Sequence, residues 1–105
     1  MEQPNKFYIE SISDGDSDFE KKLIEIIKKE FPEEKKTYNN NVSRRKNKLT
    51  AENVHKLKHK ISIFGLEEGY RTAVEFENNL REGSYELKDE FEAILLTITN
   101  YLQKL

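Results

Sequence analysis

Apolar residues recur along most of this chain at intervals of three and four, the period of a helix that buries one face. Phe7, Tyr8, Ile9 and Ile12, placed after Pro4, predict a short capping helix within residues 1–13. Asp14-Gly15-Asp16-Ser17-Asp18 then supplies turn and N-cap chemistry, and Phe19, Leu23, Ile26, Ile27 and Phe31 line one face of a long helix over 16–42. Pro32 lacks an amide hydrogen and is expected to kink or divide that helix, while Tyr38 and Val42 carry it onward. Asn39-Asn40-Asn41 and Arg44-Arg45-Lys46 read as a frayed end and a polar connection. Thr50 is the expected cap of a helix over 50–64, with Val54, Leu57, Ile61 and Phe64 as its core stripe and Gly65 as its stop. Leu66, Tyr70, Ala73, Phe76 or Glu77, and Leu80 mark a helix over 66–82, closed by Gly83. Leu87, Phe91, Ile94, Leu95, Ile98, Tyr101, Leu102 and Leu105 mark the clearest one, over 86–104. Amphipathic helices joined by short loops predict an all-α fold, an antiparallel up-down four-helix bundle with a short N-terminal capping helix.

Composition narrows the function. At 105 residues and 35% apolar content the chain suffices for one domain. Eighteen basic residues against 20 acidic ones leave a net charge of -2, which argues against nucleic-acid binding by counterion release. The longest apolar run is the four residues Ala93 to Leu96, too short for a membrane span or a secretory segment, so a cytoplasmic protein is expected. The absence of Cys rules out disulfides, thiolate metal sites and cysteine nucleophiles.

Three places carry candidate chemistry. Asp14, Asp16, Asp18 and Glu25 match four positions of a calcium-binding loop, but Phe19 stands where the sharp turn needs Gly, so they read as an acidic helix start. The run Arg44-Arg45-Lys46-Asn47-Lys48 lacks interleaved aromatics and reads as a solvated loop. In the third, at about 100° per residue, His55, Lys58, His59 and Ser62 gather on a flank roughly 130° from the core stripe. Both histidines are therefore expected in solvent. This flank can be a plain polar face, a metal pair, or an imidazole that carries a phosphoryl group. Histidines at i and i+4 can share an ion, but Lys58 lies beside them and no carboxylate is near in sequence, so no metal site is expected.

His55-Lys56-Leu57-Lys58, with Gly65 ten residues after the histidine, resembles the H-x-L-K-G-x-x-x-x-x-G signature of histidine phosphotransfer (HPt) domains. Upstream, Ile12 to Phe31-Pro32-Glu33 is similar to the family's aspartate-rich opening of its long helix and the Pro that follows. Downstream, Ala73, Phe76-Glu77, Arg81 and Gly83 resemble its A-x-x-L-E and R-x-G ending. The similarity spans roughly 90 of the 105 residues. One position departs: His59 stands where the family usually has Gly. An imidazole there can crowd a docking partner, hydrogen-bond the phosphoryl group, or be tolerated by a complementary surface. His55 is the expected acceptor because Lys58 stands in the family relation to it, whereas Ser62 follows His59.

The resemblance implies a phosphorelay carrier and not a turnover enzyme. An imidazole in water titrates near about pH 6.5, so at pH 7 it is mostly neutral and nucleophilic without a dedicated base. His55 would attack the acyl phosphate of a receiver-domain aspartate and pass the group to another receiver. That receiver, on a response regulator or hybrid histidine kinase, would supply the magnesium ion; this chain would need no cofactor. Lys58 would favour the phosphorylated ring, Glu77 would accept from the other ring nitrogen, and Arg81 would contact the phosphoryl group or partner, or act as a plain helix-end cation. Val54, Ser62, Gly65 and Gly69 would offer contact area to a weakly bound partner, with the carrier itself a monomer. The other expectation is an HPt-like interaction module that binds a receiver or kinase without carrying phosphate.

Overall fold

Asp16 sets the start of the longest helix by accepting a hydrogen bond from the Phe19 amide at 3.1 Å, and Asp18 and Glu20 add negative charge to the first turn. The computed structural model describes residues 2–105. Its helices are α1 (Phe7–Ser13), α2 (Ser17–Ser43), α3 (Asn47–Ile63), α4 (Glu67–Arg81) and α5 (Lys88–Gln103). No strand is present among the described residues. The fold is all-α, as the periodicity predicts. Helix α2 packs on α3, α3 on α4, α4 on α5 and α5 on α2, while α1 lies against α2. The α3–α4 contact is the most extensive.

One helix start differs from expectation by a full turn. Helix α3 begins at Asn47, a turn ahead of Thr50, whose buried hydroxyl donates to the Lys46 carbonyl at 2.8 Å. A threonine satisfied by the carbonyl four residues back fits inside a helix, so Thr50 is not the cap. Pro32 lies inside α2, which runs through it unbroken from Ser17 to Ser43, in keeping with the single long helix expected over 16–42. It sits on the exposed side, where water can take the bond that the ring withholds.

The core is aromatic at its centre. Tyr38 meets Phe76 and Phe91 edge-on, with ring centroids at 6.4 and 5.3 Å, which ties α2 to α4 and α5. Its hydroxyl donates to Glu92 at 2.9 Å; burial, and then this bond to a carboxylate, push the phenol pKa upward. Val54, Leu57 and Ile61 fill the α3 side, all fully buried. Phe19 and Ile26 were expected in the same core but are 46% and 52% exposed. The reason is rotation: the buried line of α2 passes through Ile27 and Phe31 with Leu23 and Ile24 packed against it, so Ile26, one step of 100° from Ile27, turns to water, and Phe19 lies in the first turn of the helix.

Candidate functional site

On α3 the buried stripe Val54–Leu57–Ile61 dictates what its neighbours do. One step of 100° from Val54 brings His55 to the surface, where half of its side chain (52%) is exposed. His59, one turn further on, is exposed too, and the two rings lie edge to face with centroids 5.3 Å apart and planes at 89°.

Beneath them lies a carboxylate from the next helix. Helix α4 buries Ala73, Phe76 and Leu80, and Glu77 shares that face at only 7% exposure, so both members of the Phe76–Glu77 alternative point inward. The carboxylate is well satisfied. Its Oε1 accepts from Lys58 Nζ at 3.0 Å and its Oε2 from Arg81 Nη2 at 3.0 Å. His55 Nδ1 approaches the two oxygens at 3.3 and 3.2 Å. Burial pushes the Glu77 pKa upward, but hydrogen bonds from Lys58 and Arg81, aided by the charges of Lys58 and His55, outweigh it and hold the carboxyl below its ordinary value. An ionised carboxylate can only accept, so it favours the tautomer with the proton on Nδ1 and the lone pair on the outward Nε2.

Several predicted site residues lie elsewhere than expected. Lys58 does not share the exposed flank with the histidines: its side chain is 13% exposed, with Nζ on Glu77 and 6.0 Å from the Tyr70 ring centroid. Its stem is long enough to reach across the α3–α4 seam and shed solvent. Val54 is fully buried and Gly69 is buried as well, so neither can offer contact area. The space at Gly69 is closed by Ile61, Leu66 and Ile94. Gly65 is half-buried at φ +76, a conformation that favours glycine, and a Cβ there would displace the Asn5 side chain, which would lie 2.6 Å away. Ser62 is exposed as predicted, and Arg81 leans its partly exposed guanidinium back onto Glu77.

One group was not foreseen. Glu2 accepts from the Glu68 and Gly69 amides at 2.9 and 2.8 Å, capping α4 from the far end of the chain. No short-range sequence signal marks such a cap. Elsewhere, Asp16 serves as a helix cap rather than as part of an ion loop, and Arg45 places its guanidinium over Tyr85 at 4.9 Å. Among the described residues no group of three or more His, Asp or Glu side chains is arranged to hold a metal ion. Likewise among them, no helix is long and apolar enough to cross a membrane.

Compared with protein-family models, curated proteins and solved structures, the chain matches none.

Proposed function

We propose that this protein is a histidine phosphotransfer carrier that accepts a phosphoryl group on His55 from a receiver-domain aspartate and passes it to another receiver. The observation that carries the reading is the His55 ring, anchored at Nδ1 by Glu77 on a side chain that is half exposed. In the forward step Nε2 attacks the phosphorus, the N–P bond forms, and the P–O bond to the receiver's aspartate breaks, releasing its carboxylate. The product imidazole keeps its Nδ1 proton and becomes cationic. Glu77 then faces that positive charge at hydrogen-bond distance, which favours the phosphorylated state and keeps the ring in line for return transfer. Lys58 acts through Glu77 in this scheme, holding the carboxylate ionised and in place, and Arg81 does the same from the exposed side. Magnesium belongs to the receiver.

The scaffold we propose is an antiparallel up-down bundle of α2 to α5 acting as a cytoplasmic monomer. The order of cross-helix pairs supports it. Asn53 meets Asn41 while the later Lys60 meets the earlier Glu34, and Tyr38 meets Glu92 while the earlier Lys35 meets the later Thr99. Contact with a receiver involves the exposed surface around His55, His59 and Ser62.

A second reading, an interaction module that binds a receiver or kinase without carrying phosphate, is favoured by one observation: the His59 ring stands against His55, where a phosphoryl donor must approach. Intact-mass measurement after incubation with phosphoramidate, and then with a phosphorylated receiver, separates the two. The carrier gains one acid-labile phosphoryl group that His55→Ala cannot accept. Binding to the receiver with no gain in mass establishes the module instead, and unchanged labelling of His55→Ala removes His55 from the mechanism.

A further inference from the structure

Histidines four apart on a helix can direct ring nitrogens at a common ion, and two features of the sequence speak against that use of His55 and His59. One is the cation at Lys58; the other is the lack of a nearby carboxylate. Tertiary structure reverses both. Lys58 turns away beneath the helix surface and pairs with Glu77 at 3.0 Å, a carboxylate that Arg81 shares. The same carboxylate reaches His55 Nδ1 at 3.2 Å from the neighbouring helix. A carboxylate accepting from the far nitrogen of a ligating imidazole is the usual outer support of a metal-bound histidine, because it fixes the tautomer and raises the basicity of the free nitrogen. The rings are exposed, perpendicular and 5.3 Å apart between centroids, with no further protein ligand in place.

We propose that His55 and His59 form a two-imidazole site for a borderline divalent transition ion, Zn2+ or Cu2+, with water in the remaining positions. The ligand class follows from the donors. Neutral imidazoles suit zinc and copper and are poor partners for magnesium, and copper binds more tightly than zinc to nitrogen donors. An ion on His55 Nε2 occupies the atom that the proposed phosphotransfer uses, so metal and phosphoryl group exclude each other at this ring.

The test is calorimetric titration of the full chain at pH 7.5 with ZnCl2, CuCl2 and MgCl2. One zinc or copper per chain is expected, copper the tighter, with no heat from magnesium. His59→Gln and His55→Gln should each weaken zinc binding at least tenfold, and thermal unfolding should stay unchanged in His59→Gln, whose ring makes no bond to Glu77. Zinc affinity unaltered in either variant, or magnesium binding as well as zinc, overturns the site. Glu77→Gln should weaken zinc by about 10- to 100-fold, as expected for loss of an outer-shell partner, and unchanged affinity there overturns its supporting role. Competition rests on the phosphotransfer reading and is scored separately. Zinc should slow phosphoramidate labelling and a chelator should restore it. A chain that never takes up phosphate but binds zinc through both histidines refutes the carrier alone.

Discussion

Glu77 is the residue on which the surroundings of His55 depend. Three donors from two helices converge on a carboxylate that is 7% exposed, and removing its charge leaves the Lys58 ammonium, itself largely covered, without a counter-charge and turns an amide NH2 toward the other donors. Glu77→Gln is therefore expected to destabilise the fold by about 1–3 kcal/mol at pH 7 in urea unfolding, the range for an unsatisfied buried polar group. The pH dependence has a definite sign. The carboxyl lies below its ordinary value in the folded state, so its contribution is complete above the unfolded carboxylate value of about 4.3 and is lost as acid takes the pH through the lower folded value. The stability gap between wild type and Glu77→Gln should thus narrow as the pH falls below the unfolded carboxylate value of about 4.3. A gap that widens in acid would contradict this assignment of charge. At Tyr38, Tyr38→Phe keeps the aromatic packing but removes the bond to Glu92, which Lys88 also pairs. The expected loss is only about 0.5–1.5 kcal/mol, read from the same unfolding curves.

Among the helices, α2 shows most plainly how local preference yields to packing. Its 27 residues include Pro32, yet the helix stays whole because Ile27 and Phe31 before the proline and Tyr38 and Val42 after it are all held in one core. Pro32→Ala restores an amide donor on the exposed side of the helix and is expected to stabilise the protein by roughly 1–3 kcal/mol, seen as a higher urea midpoint with unchanged slope. Helix α4 gives the opposite case. Gly69 is a poor helix former, but a Cβ there would lie 3.2 Å from Ile61, 3.3 Å from Leu66 and 3.4 Å from Ile94. Contacts this close oblige Ile61, Leu66 or Ile94 to shift, so Gly69→Leu should cost about 1–3 kcal/mol despite its better helix propensity. Stability equal to wild type would mean that these helices are more loosely packed than the distances imply.

Across the whole molecule, the start of the chain is fastened to its middle. Glu2 caps α4 across a separation of 66 residues in sequence, and the Asn5 amide donates to the Phe64 carbonyl at 2.9 Å in the α3–α4 turn. Glu2→Ala should cost about 0.5–2 kcal/mol, as for loss of a helix cap, and should raise amide exchange at Glu68 and Gly69 before it affects α2. Uniform protection in the variant would show that the cap does not hold the α4 start. The helices, their order and most of the core were legible along the chain, because a period of 3.6 reports which side of a helix is buried. So was the exposure of His55 and His59, which follows from their rotation away from Val54 and Leu57. Periodicity is blind to what lies opposite a face and to which side of a wide stripe is covered. Hence Phe19 and Ile26 follow the stripe yet meet water, Val54 and Gly69 belong to the interior, and Lys58 leaves the histidine flank. The carboxylate that joins His55, Lys58 and Arg81 comes from a helix 22 residues away from His55, and only the packing of α4 on α3 brings it there.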